Sequence, residues 1–171
     1  MSRLGVAPAS AEALLFSLGA EVFAFPIVRV RQVLRACWPQ PVPRPPLGCL
    51  GVIEVAGEVV PILDLAVLLA LRRPMPTASL PEKMLDTHFL LCGAEDGEIG
   101  FWVDRVIEVG DIRALEDAGS DPRVEALGKS ASWVVGLAAV GERRALVLDP
   151  SAVVTASRRR LLRRAVLRKA I

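Results

Sequence analysis

One stretch constrains the fold of this chain more than any other: Gly48–Leu65, GCLGVIEVAGEVVPILDL. Val52, Ile53, Val55, Val59, Val60, Ile62 and Leu63 are branched apolar residues that suit a pleated, half-buried surface. Ala56-Gly57 interrupts them, and glycine accepts the positive φ of a tight hairpin turn. The pattern predicts strand, turn, strand. Pro61 has no N–H to donate, so it is expected at a sheet edge or a bulge. Asp64 is placed to end the second strand and to cap a short apolar helix over Leu65–Leu71.

The same pattern returns downstream. Gly136–Pro150, GLAAVGERRALVLDP, again runs Gly, apolar run, Gly-Glu, apolar run, Leu-Asp. An N-terminal hairpin, Phe16–Val30, is echoed by Phe89–Val106, each with a Gly-Ala-Glu turn between apolar runs. The chain therefore reads as one supersecondary unit used twice rather than a short-period array. Many short strands, hairpin turns and little helix before the C-terminus predict small closed barrels. A five- or six-strand unit of about 70 residues is marginal alone, so two are expected to pack into one cooperative domain. The predicted order is a first hairpin (Ala13–Leu18, Glu21–Pro26), an alternating strand Ile27–Leu34, an extended proline-rich crossing, and the central hairpin. Arg72–Met84 is then a loop between lobes. Thr87–Cys92 and Ile99–Val109 open the second lobe, Asp121-Pro122 caps a short helix ending at Gly128, and the repeated hairpin follows. Asp149-Pro150 starts a C-terminal helix. Lobe limits near residues 28–85 and 86–150 follow, with the N-terminal strands exchanged or shared. Met1–Glu12 is expected to fray.

Hydrophobic residues make up 53% of the 171, enough for a real core. No apolar run reaches the roughly 18 residues a membrane span requires, and the first residues lack the apolar core and cleavage site of a signal peptide. Cys37, Cys49 and Cys92 are odd in number and sit among apolar neighbours, so buried reduced thiols and a cytoplasmic setting are expected. No Cys-x-x-Cys or Cys/His pair offers a metal site, and no cofactor is implied. Charge is segregated. The net charge is +2, yet seven of the 21 basic residues follow Ser157 and no acidic residue follows Asp149. The remaining 14 basic residues face 19 acidic ones, so residues 1–157 carry a net −5 and the tail is strongly basic.

Enzyme chemistry finds no constellation. His88 is the only histidine and opens an apolar strand, with no nucleophile turn to serve. Gly128-Lys129-Ser130 resembles the end of a phosphate-binding loop, but the glycine required five residues earlier is Arg123. Gly93–Gly100 is a hairpin turn rather than a dinucleotide loop. Asp64, Asp104 and Asp149 follow apolar residues at strand ends and read as caps, and Phe101-Trp102 and Trp133 are too few and too apolar in setting for a base-stacking surface.

Taken together, these segments resemble the CheW-like domain family. Gly51-Val52-Ile53, Gly57-Glu58-Val59-Val60-Pro61 and Asp64-Leu65 match its central motif. Phe25-Pro26-Ile27, Val30–Leu34, the prolines before Gly51, Val103–Val109, Gly136 and Leu148-Asp149 match in order, over roughly residues 13–157. The resemblance implies a mainly β fold of two intertwined SH3-like five-stranded barrels sharing a hydrophobic core, with residues 158–171 as an added helical tail. It implies a non-enzymatic adaptor that couples the cytoplasmic tip of a methyl-accepting chemoreceptor to the regulatory domain of a CheA-type histidine kinase, with association to itself or a paralogue. A receptor-binding groove is then expected at Val28, Val30, Val33, Leu34, Val103 and Val106, residues that equally fit a plain core. Kinase-facing turns are expected at Ala56, Gly57, Val140 and Gly141. Two departures stand out: the family's turn arginine is Ala56 here, and the glutamate of its Val-x-Glu-Ile segment is Gln32. If the two normally pair, losing both avoids a stranded charge. The basic tail, Arg158, Arg159, Arg160, Arg163 and Arg164, lies outside the family pattern. It fits a solvated helix packed on the barrels, a docking helix for an acidic protein, or a contact with a membrane surface or nucleic acid. A tail-tethered regulator that has lost kinase coupling is the alternative function.

Overall fold

The computed structural model describes residues 11–74, 80, 82–94, 97–113 and 121–170. The expected fraying at the start falls outside them up to Ser10, and Glu12 already begins a strand. In order the elements are β1 (Glu12–Leu18), β2 (Glu21–Pro26), a 3-10 turn Ile27–Arg29, β3 (Val30–Arg35), β4 (Cys49–Val55), β5 (Glu58–Asp64) and α1 (Leu65–Leu68). A 3-10 turn Glu82–Asp86 precedes β6 (His88–Ala94), β7 (Gly97–Val103) and β8 (Arg105–Arg113). Then come α2 (Pro122–Ala126), a 3-10 turn Gly128–Trp133, β9 (Val134–Val140), β10 (Arg143–Leu148), α3 (Pro150–Val153) and α4 (Ala156–Ala170).

The strands form two five-stranded sheets of SH3-like type. One is a closed barrel in the order β1-β2-β10-β9-β8; the other runs β3-β6-β7-β5-β4. The orders match strand for strand. Hairpin β1–β2 corresponds to β6–β7, and hairpin β9–β10 to β4–β5. Each pair of hairpins is joined by one parallel step, Leu146 opposite Phe23 in the first sheet and Ile62 opposite Gly100 in the second. The duplication seen in the sequence is thus a duplication of topology. The chain divides into two compact units, Met1–Val30 with Arg105–Val153 and Arg31–Asp104 with Val154–Ile171. It leaves the first unit after β2 and returns to it at β8.

This division moves β6 and β7. They were expected to open the second lobe, but they complete the sheet of β3, β4 and β5. The parallel step brings them there: Ile62, Leu63 and Asp64 of β5 pair with Gly100, Phe101 and Trp102 of β7, and a Cβ on Gly100 would lie 2.4 Å from Ile62 Cδ1, so a larger residue would push that side chain aside. The segment after Arg72 therefore links strands of one sheet rather than two lobes. Pro61 also departs from expectation, because β5 lies between β4 and β7 and is not an edge. The parallel pairing begins at Ile62, one residue beyond, so its missing N–H leaves that ladder intact.

Gly51 explains the central motif. It sits at φ +139° where the register of β4 against β5 shifts, and a Cβ there would lie 2.3 Å from Gln40 O. The bulge admits the proline-rich crossing segment, whose Gln40 exchanges two backbone bonds with Val52, at 2.8 and 2.9 Å. That bridge occupies part of an edge strand that would otherwise offer open backbone groups.

Each unit holds its own apolar cluster. Small residues fill the closed barrel, among them Ala13, Ala24, Ala138 and Ala145 around Leu15 and Val147. Larger ones fill the other sheet, with Leu50, Ile53, Ile62, Phe89, Leu91 and Trp102 against Met84. The helices end where local chemistry dictates. α1 stops at Leu68, short of the expected Leu71, in a Schellman turn: Ala70 N–H donates to Val67 O, Leu71 N–H to Ala66 O, and Ala70 takes φ +58°. The expected helix at Asp121-Pro122 is present, with Asp121 Oδ1 accepting from Arg123 N. The expected single C-terminal helix is two. Asp149 caps α3 through Ser151 N at 2.9 Å, and Thr155 Oγ1 accepts from Arg158 N to start α4. Cys49 and Cys92 are buried as expected, but Cys37 is exposed in the extended segment after β3.

Candidate functional site

The central hairpin carries the site. Val55 and Glu58 pair across a two-residue turn in which Ala56 (φ +49°) and Gly57 (φ +83°) both take positive φ. Twisted strands favour such a turn, and the alanine tolerates it at some cost. Both residues are exposed. Beside them opens a cleft of about 800 Å³, walled by the hairpin, the start of β3, the start of β7 and helix α4. Gln32 and Ala56, both singled out in the sequence, line this same cleft, although 24 residues separate them.

Helix α4 forms the opposite wall. It packs against β5, and among its described side chains Leu162 and Ala165 are buried, 3% and 4% exposed. Val166 is half-buried in the cleft wall, while Leu161 and Leu167 are exposed. Of the tail arginines, Arg159 and Arg163 line the cleft, Arg160 and Arg164 are exposed outside it, and burial pushes the Arg158 guanidinium below its ordinary value. On the rim exposed Arg31 lies 3.8 Å from half-buried Glu98, a long pair of small energetic weight.

The remaining predicted residues are scattered. Val28 is 86% exposed on the turn before β3, and Val33 is exposed on β3 itself. Val30 and Val106 are half-buried, and Leu34 packs on the cluster of its own sheet. Val103 is a correction: it is 1% exposed, paired opposite His88 at the end of β7, so its side chain is core and offers nothing to a groove. Gly141 (φ +58°) is exposed at the β9–β10 turn, the counterpart of Ala56-Gly57, while Val140 packs on the closed barrel's cluster.

The Leu-Asp that ends the central motif has a structural task. Asp64 is 1% exposed, accepts from Val67 N at 3.4 Å, and takes Arg72 Nη2 at 2.6 Å and Nε at 3.2 Å. The guanidinium in turn lies 4.3 Å from the ring centre of Trp102. Burial pushes the Asp64 carboxyl above its ordinary value, and Arg72 opposes the shift. Asp149 is likewise a cap. Among the described residues no group of three or more His, Cys, Asp or Glu could hold a metal ion, and no helix is long and apolar enough to cross a membrane.

The sequence alone did not reveal that Arg159, Leu162 and Arg163 line the same cleft as the turn. Nothing local marks residues about a hundred positions apart as walls of one cleft.

One closed five-stranded barrel and one five-stranded sheet of matched topology, each with an exposed hairpin turn, define the class of duplicated SH3-like β domains. A family model described as CheW-like domain matches residues 12–158, and the chain belongs to that family. It is 28% identical to chemotaxis protein CheW of Treponema pallidum over 134 residues, covering 78% of this chain and 76% of that one. It is 26% identical to chemotaxis protein CheW of Helicobacter pylori over 133 residues, covering 78% and 74%. Among solved structures, the scaffolding protein TtCheW from Thermoanaerobacter tengcongensis superposes with a TM-score of 0.65 at 18% identity, over 88% of this chain and 92% of that one.

Proposed function

We propose that this protein is a cytoplasmic, non-enzymatic adaptor that couples chemoreceptor tips to a CheA-type histidine kinase in a chemosensory pathway. The observation that carries the reading is the family match across residues 12–158, which spans every strand of both units. The relatives bearing it are chemotaxis proteins. In this reading the exposed β4–β5 and β9–β10 turns face the kinase's regulatory domain, and Val28, Val30, Val33, Leu34 and Val106 contribute to the receptor contact.

Binding decides the matter. Purified protein is titrated with a kinase regulatory domain and with a receptor signalling-tip fragment, and micromolar binding to at least one is expected. Failure to bind either would remove the adaptor role. The same titrations with Val28→Asp and with Gly141→Arg should separate the two surfaces, the first weakening the receptor contact and the second the kinase contact.

A further inference from the structure

Helix α4 covers surface that the central hairpin would otherwise present. The family match ends at Arg158, three residues into the helix, so nearly all of α4 is an addition to the matched domain. It packs on β5, the strand that leaves the Ala56-Gly57 turn, and buries Leu162 and Ala165. Leu162, Val166 and Leu167 wall one side of the cleft, and residues 55–61 of the hairpin wall another. A partner that approaches the turn from this side therefore meets α4. Val55 and Val59 of the hairpin are half-buried in the cleft, apolar side chains that the helix leaves only partly covered.

The helix is built to come away. It starts afresh after α3 ends at Val153, with Thr155 Oγ1 accepting from Arg158 N, so it can detach at Thr155 while Val153 and Val154 stay buried. Arg160, Leu161, Arg164 and Leu167 face solvent, so among the described side chains the buried contact is one leucine and one alanine. A protein interface of ordinary size outweighs that contact. A helix of 15 residues is marginal alone in water, so α4 keeps its shape through β5 and unwinds once it leaves.

We propose that α4 is an autoinhibitory strap. Packed on β5, it obstructs the kinase regulatory domain at the β4–β5 turn, and that domain seats by displacing it. The kinase domain is the occupant because the turn that the adaptor reading gives to the kinase forms the cleft wall. Val28 and Val33, which the same reading gives to the receptor, do not line the cleft, so the strap leaves the receptor contact alone. The proposal rests on the adaptor reading and adds regulation to it.

The test uses three full-length proteins: wild type, Leu162→Glu and Leu161→Glu. Each is titrated with the kinase regulatory domain and with the receptor-tip fragment, and hydrogen exchange follows residues 156–170. Leu162→Glu puts a charge into the contact with β5 and should release the helix, whereas Leu161→Glu makes the same change on the exposed side. A strap open in about one molecule in ten lowers apparent affinity about tenfold. Leu162→Glu should therefore bind the kinase domain about tenfold tighter than wild type, with receptor-tip binding unchanged, and Leu161→Glu should match wild type. In wild type the α4 amides should lose protection when the kinase domain binds, a readout that holds even if Leu162→Glu fails to fold. The strap is overturned, and the adaptor reading stands, on any of three results: a folded Leu162→Glu that binds the kinase domain no tighter than wild type or Leu161→Glu, α4 amides that stay protected in the wild-type complex, or proteins that bind the receptor tip alone. If none of the three proteins binds either domain, both readings fall.

Discussion

At the residue scale, the pair of buried Asp64 and partly exposed Arg72 shows how a motif position can serve the fold. Asp64 ends β5, caps α1 and anchors the guanidinium that covers Trp102. Arg72 is a third exposed while Asp64 is buried, so removing the guanidinium leaves a buried carboxyl short of its partner, at a cost of about 1 to 3 kcal/mol. Arg72→Met should therefore destabilise the protein by about that amount at neutral pH. The pH dependence follows from the direction of the Asp64 shift. Its folded value already lies above the ordinary carboxylate value, and loss of Arg72 raises it further. Ionisation then disfavours the folded state, so the penalty is full at high pH. It shrinks as pH falls towards about 3.9, where the unfolded carboxyl also takes up its proton. Denaturant unfolding of wild type and variant at pH 7 and pH 4 checks this, and an equal deficit at both would contradict it.

At the scale of elements, end chemistry governs where helices stop. α1 closes in a Schellman turn with an alanine, Ala70, at φ +58°. A Cβ in that conformation is strained, and glycine is the residue the turn favours. Ala70→Gly should raise stability by about 0.5 to 1 kcal/mol despite glycine's larger entropy in the unfolded chain. A lower thermal midpoint in the variant would show that the strain is relieved elsewhere. The split between α3 and α4 has the same kind of cause. Asp149 and Thr155 are both good N-caps, so two helices begin where the sequence pattern suggested one. The second start sets the face that α4 turns towards β5.

At the scale of the whole molecule, the first hairpin belongs with the last one. β2 pairs in parallel with β10, and β1 pairs with β8. Deleting residues 1–26 should therefore strip β8 and β10 of neighbours and expose their amides, whereas residues 88–103 keep their own partners in the other sheet. Hydrogen exchange on the truncated chain reads this directly: protection lost over 105–113 and 143–148, and retained over 88–94 and 97–103. Loss of protection everywhere would mean that the two units fold only together.

Strands, turns and caps were legible in the residues themselves, because period-two apolar runs, Gly at positive φ and Asp before a helix act over a few positions. The two-fold repeat was legible for the same reason. Other features depend on approach between segments far apart in the chain, and no local rule encodes them. β7 pairs in parallel with β5, which puts β6 and β7 in the sheet of the central hairpin. Val103 turns inward rather than towards a groove, and Gln32, Ala56, Arg159 and Arg163 meet around one cleft. The sequence by itself determined the parts and their duplication; the tertiary structure alone decided which hairpins share a sheet and which side chains face each other, since those depend on packing space that exists only once the chain has closed on itself.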